Sequence, residues 1–143
     1  MAGLSLAGPA ASYVQQNGLT REATALYLLT IIWFFDRAMM TRKIVDSIKG
    51  KVKFDSISER ARRYSPQLLI HLSALVSVAA VITMSDGFVP WTAFAPFLLA
   101  TAKNVADTFS VKQDYNPMKT GFSEMRLGMA FGLIMVIAWR IKF

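Results

Sequence analysis

The sequence predicts an all-α, polytopic membrane protein with three or four membrane helices and a basic amphipathic connector. Three observations carry that prediction. Of 143 residues, 54% are hydrophobic and only 17% charged, where a soluble domain has about 45–50% and about 25%. An uncharged run of 22 residues separates Arg63 from Asp86, and about 20 mostly apolar residues span a bilayer. The charge is lopsided, with 16 Lys and Arg against 9 Asp and Glu, and most of it is crowded between two apolar segments. The absence of Cys excludes a disulfide scaffold and any thiolate site.

The chain reads as one integral membrane domain over residues 1–143. Residues 1–20 contain no Lys or Arg before Arg21 and are small and mildly apolar, which suggests an interfacial arm. They lack the basic n-region of a secretory signal and the Arg content of a matrix presequence. Ala2 excludes N-myristoylation.

A first span is expected over residues 21–41. Thr20 is a fair N-cap, and 13 uncharged residues run from Ala23 to Phe35. The segment reaches span length only by continuing through Asp36 and Arg37. Adjacent residues on a helix do not face each other, so Asp36 needs a partner other than Arg37. Arg126 is the candidate with four spans and Arg140 with three. A proton-relay role for Asp36 is the functional alternative.

Residues 42–64 form the basic connector. From Arg37 to Tyr64 there are nine Lys and Arg and three acids, so this loop faces the cytoplasm or the mitochondrial matrix. Ile44, Val45, Ile48 and Val52 recur at helical spacing among basic residues. A basic amphipathic helix of that kind lies against anionic lipid. Arg42, Lys43, Lys49, Lys51, Lys53, Arg60, Arg62 and Arg63 are therefore candidate headgroup contacts. Ser56 and Glu59 match a capping box. Nucleic acid is not an expected partner, because aromatics are not interleaved with the charge.

The second span is expected over residues 65–85, with Ser65 as cap, Pro66 at the first helical position and Ser85-Asp86-Gly87 as the stop. Its His71 is the only histidine. An intramembrane ionisable group is a functional candidate by default. Haem, quinone or a pigment magnesium are the ligands a lone imidazole could serve. The plainer reading is a neutral imidazole hydrogen-bonded to a neighbouring helix.

Residues 88–103 lie almost wholly within a run of 16 uncharged positions, Gly87 to Ala102, interrupted by Pro90 and Pro96. They suggest a short kinked span or a re-entrant segment. Residues 104–122 read as a solvated loop of mixed charge, in which Asp107, Asp114 and Asn116 do not fit an EF-hand. A last span is expected over residues 123–142, with Ser123 as N-cap and Arg126 and Arg140 snorkelling. Gly128 and Gly132 form a G-x-x-x-G, and Ser73 and Ser77 a milder small-residue pair, both signs of helix packing. Trp33, Trp91 and Trp139 fall near expected span ends, as in an aromatic belt.

No P-loop, nucleophile elbow, zinc-helix motif or carboxylate pair is present. The sequence therefore points away from an enzyme. It suggests an accessory or structural subunit of a larger, energy-transducing membrane complex such as a respiratory chain or ATP synthase. Its expected partners are other membrane subunits and anionic phospholipids. The mitochondrial inner membrane is the favoured site and a bacterial inner membrane the alternative. A haem-, quinone- or pigment-binding anchor built on His71 is the alternative function.

Overall fold

The computed structural model describes residues 20–49, 56–109 and 117–141. They form four α-helices, α1 (Arg21–Lys49), α2 (Ile57–Thr83), α3 (Ala95–Phe109) and α4 (Pro117–Arg140), with a 3₁₀ turn at Trp91–Phe94 leading into α3. No strand occurs among the described residues. Three helices, α1, α2 and α4, are long and apolar enough to cross a membrane, which makes the chain compatible with an integral membrane protein. The expected arm falls outside the described residues, apart from Thr20.

Local chemistry explains the helix ends. Thr20 caps α1, its Oγ1 accepting from the Ala23 N–H at 3.2 Å. Ser56 caps α2 in extended geometry and accepts from the Glu59 N–H at 3.2 Å, as the capping box suggested. That start places Pro66 inside α2 rather than at its first position. Proline has no N–H to offer the carbonyl one turn back. The Ser65 hydroxyl donates to that orphan, the Arg62 carbonyl, at 2.8 Å, and the helix continues. Beyond Met84, Asp86 (φ 49°) and Gly87 (φ 86°) take left-handed backbone, and Ser85 accepts from the Val89 N–H.

Other expected boundaries move as well. The first span does not stop at residue 41 but continues as helix to Lys49. At 29 residues it is about 43 Å long and overshoots a ~30 Å hydrocarbon layer. Thus the periodic Ile44, Val45 and Ile48 extend α1 instead of starting a separate helix. The last helix starts at Pro117, six residues before Ser123, because proline is pre-organised for a first helical position. The expected loop over residues 104–122 is therefore mostly helix, the end of α3 and the start of α4.

Side-chain partners fix the relative directions. Trp33, Phe97 and Phe131 meet at one level. Arg37, Asn104 and Glu124 meet at another, and Asp36 meets His71 beside it. Thus α1 and α3 run one way and α2 and α4 the other, an up-down-up-down bundle. The C-terminal end of α4 returns to the side where α1 starts. The 15-residue α3 is about 22 Å long and too short to span alone. The preceding 3₁₀ turn lengthens it.

The apolar core joins Leu29 and Trp33 of α1, Val78 and Ile82 of α2, Phe97 and Ala100 of α3, and Phe131 and Met135 of α4. Trp33 is buried there, stacked on Phe131 at 4.5 Å between centroids, so it does not serve an interfacial belt. Trp91 is exposed and Trp139 half-buried. Gly128 and Gly132 are half-buried on α4, whereas Ser73 and Ser77 face outward. Both hydroxyls return to their own helix, donating to the Ile70 and Ser73 carbonyls. Any packing through the serine pair therefore involves a group outside the described residues.

Candidate functional site

Below the Trp33–Phe97–Phe131 aromatic cluster lies a polar layer to which every helix contributes. Asp36 and Arg37 come from α1, His71 from α2, Thr101 and Asn104 from α3, and Glu124 from α4. Adjacent residues on a helix point about 100° apart, so Asp36 and Arg37 serve different neighbours. Asp36 is 1% exposed and His71 4%; their Oδ2 and Nδ1 are 2.8 Å apart. Arg37 turns the other way. Its Nε and Nη2 donate to both Glu124 oxygens at 3.0 and 2.8 Å, a bidentate geometry that adds strength and direction. Its Nη1 donates to Asn104 Oδ1. Lys103 adds a bond to Glu124 at 3.0 Å and pairs with Asp107 one turn along α3.

The expected Asp36–Arg126 pair gives way to Asp36–His71. Helix phase is the reason. Residues 124 and 126 lie about 200° apart around α4. With Glu124 turned inward to Arg37, Arg126 is exposed. The cation reaching α4 from α1 is Arg37, and its acid is Glu124.

The imidazole is held at both ring nitrogens. Nδ1 meets Asp36 Oδ2 at 2.8 Å and Nε2 meets the Thr101 hydroxyl at 2.8 Å, and that hydroxyl also lies 2.9 Å from the Phe97 carbonyl. Buried polar groups need such partners. Chemically, the layer ties α1 to α2 and α3 through the two nitrogens of one ring. Both ring nitrogens are engaged, so His71 reaches iron, magnesium or a quinone only by releasing Asp36 or Thr101. Among the described residues no group of three His, Cys, Asp or Glu is placed to hold a metal.

The candidate headgroup contacts divide. Arg42, Arg62 and Arg63 are exposed and Lys43 is half-buried. Arg60 is buried, one helical turn before buried Tyr64, and faces the bundle instead of a headgroup. Lys51, Lys53 and the side chain of Lys49 lie outside the described residues.

Sequence reasoning missed Thr101, Asn104 and Glu124. The signal for Glu124 was available: it is the last acid in the chain, and no other follows Asp114. Thr101 and Asn104 carry no formal charge and left no mark in a reading based on charge spacing. Asn104 is fully buried and its Nδ2 has no partner among the described residues.

No family model, curated protein or solved structure matches this chain.

Proposed function

We propose that this chain is an accessory, structural subunit of a larger membrane complex. One observation carries the reading: the charged groups of the interior layer are spent on one another, across all four helices. Arg37 goes to Glu124, Asp36 to His71 and Lys103 to Asp107 and Glu124. Such a layer holds helices in register and leaves the apolar outer surface to do the binding. On α2 that surface presents Leu69, Leu72 and Val76 with Ser73 and Ser77, where small residues permit close helix approach. An energy-transducing host in the mitochondrial or a bacterial inner membrane is part of the proposal, resting on a small, basic, polytopic chain without catalytic motifs.

The test is extraction in gentle detergent followed by native electrophoresis and mass spectrometry of comigrating chains. Comigration with a large assembly supports the proposal. A lone, well-folded monomer contradicts it. The competing anchor reading rests on His71 lying inside the bundle. A Soret band or bound quinone that is lost in His71→Ala would establish that reading and displace the structural one.

A further inference from the structure

We propose that a cleft between α3 and α4 binds a single phospholipid with an anionic headgroup, drawn from the leaflet on the side of the basic connector. The cleft is an open groove of about 530 Å³ lined by Lys103, Lys119, Phe122, Ser123, Arg126, Leu127 and Ala130. All but Lys103 fall on α4 at positions 119, 122, 123, 126, 127 and 130. That is one face of a helix at spacings of three and four.

The stripe changes character along its length. Lys119, Ser123 and Arg126 supply cations and a hydroxyl over its first two turns, beside the Phe122 ring, and Leu127 and Ala130 continue it with apolar surface only. A charged end leading into an apolar slot is the outline of an amphiphile. A free phosphate would have no use for the apolar half.

Two further observations favour an anionic lipid. No acid lines the cleft among the described residues. The cleft also lies at the end of the bundle where α1 leaves and α2 enters, with Arg42, Arg62 and Arg63 exposed. The positive-inside rule places that end at the anionic cytoplasmic or matrix leaflet. Lys103 is held in place by Glu124 and Asp107, which fixes one wall. Lys119 and Arg126 are seven residues apart, about 10 Å along the helix, wide enough for a headgroup with its glycerol.

The proposal stands apart from the subunit reading, since it needs no partner chain. The test is native mass spectrometry of the full chain from micelles doped with phosphatidylglycerol or phosphatidylcholine. Wild type is expected to retain one phosphatidylglycerol in preference to phosphatidylcholine. Arg126→Gln is expected to weaken retention about fivefold, and Lys119→Gln/Arg126→Gln about 25-fold, given the usual contribution of one basic residue at an anionic surface. Arg126→Lys is expected to stay within about twofold, because the charge is kept. Arg62→Gln/Arg63→Gln removes as much charge from the same side and is expected to leave the single retained lipid in place. Equal losses from the two double variants would overturn the proposal, as would equal retention of the two lipids by wild type. Displacement of the lipid by millimolar inorganic phosphate would overturn it too, since the site would then read phosphate alone. Unchanged melting of Arg126→Gln separates lost binding from lost fold.

Discussion

Two layers of the bundle lie about one to two helical turns apart and are held together by different physics. In the upper layer, Trp33 stacks on Phe131, and Phe97 meets both rings edge-on. In the lower layer, Asp36, Arg37, His71, Thr101, Asn104 and Glu124 pair across all four helices. In water the aromatic layer would dominate, because burying apolar surface drives folding. In a bilayer the lipid tails are as apolar as the rings, and association rests on packing and on hydrogen bonds between helices. Lipid can replace the contacts of Phe97 in part. It cannot replace the carboxylate that Arg37 requires. The polar layer therefore decides which helix faces meet, and the aromatic layer fills the space above it.

Removing an acid from the polar layer should do the most damage. Glu124→Ala leaves the buried guanidinium of Arg37 without its bidentate partner and deprives Lys103 of one acid. A loss of about 3–5 kcal/mol is expected, read by unfolding in mixed micelles. Glu124→Gln keeps the shape and part of the hydrogen bonding and should lose clearly less. In the aromatic layer, Phe97→Ala opens a cavity between Trp33 and Phe131. Soluble proteins lose about 3–5 kcal/mol for such a change; with the transfer term removed by lipid, about 2 kcal/mol is expected. A larger loss for Phe97→Ala than for Glu124→Ala would reverse the ranking of the two layers.

Smaller changes sharpen the contrast. Thr101→Val removes the hydroxyl partner of His71 Nε2 and should cost about 0.6 kcal/mol, the usual worth of one interhelical hydrogen bond in a membrane. On the outer face, Leu72 is exposed. Leu72→Ala should shift stability by under about 0.5 kcal/mol in lipid, as surface substitutions do. A Leu72→Ala variant that unfolds would place that side chain in a core and remove the membrane as its solvent.

The sequence was informative where a signal is local. Ser56 and Glu59 announce a helix start, Ser85 to Gly87 a stop, and the uncharged run before Asp86 a span. Each depends on neighbours in the chain. Boundaries were misplaced elsewhere: the helical spacing of Ile44, Val45 and Ile48 continues α1 to Lys49 instead of marking a separate connector helix, and α4 opens at Pro117 rather than after Ser123. The site was legible in parts only. Asp36 and His71 each stood out as ionisable groups in apolar surroundings, but their pairing depends on how far α2 slides and rotates against α1. The same ignorance of helix phase paired Asp36 with Arg126, although the inward face of α4 carries Glu124. Thr101 and Asn104, neutral and short, become visible only when α3 is packed between its neighbours.

The polar layer as the lock between helices is tested most directly by a double-mutant cycle on Asp36 and His71 in reversible micelle unfolding. Asp36→Leu and His71→Phe each strand a buried partner and should each be destabilising, while the double variant strands neither and should lose far less than their sum. A coupling of at least about 1 kcal/mol is the expected result, since contacting pairs couple by about 0.5–3 kcal/mol. Strict additivity would mean that the imidazole and the carboxylate do not meet.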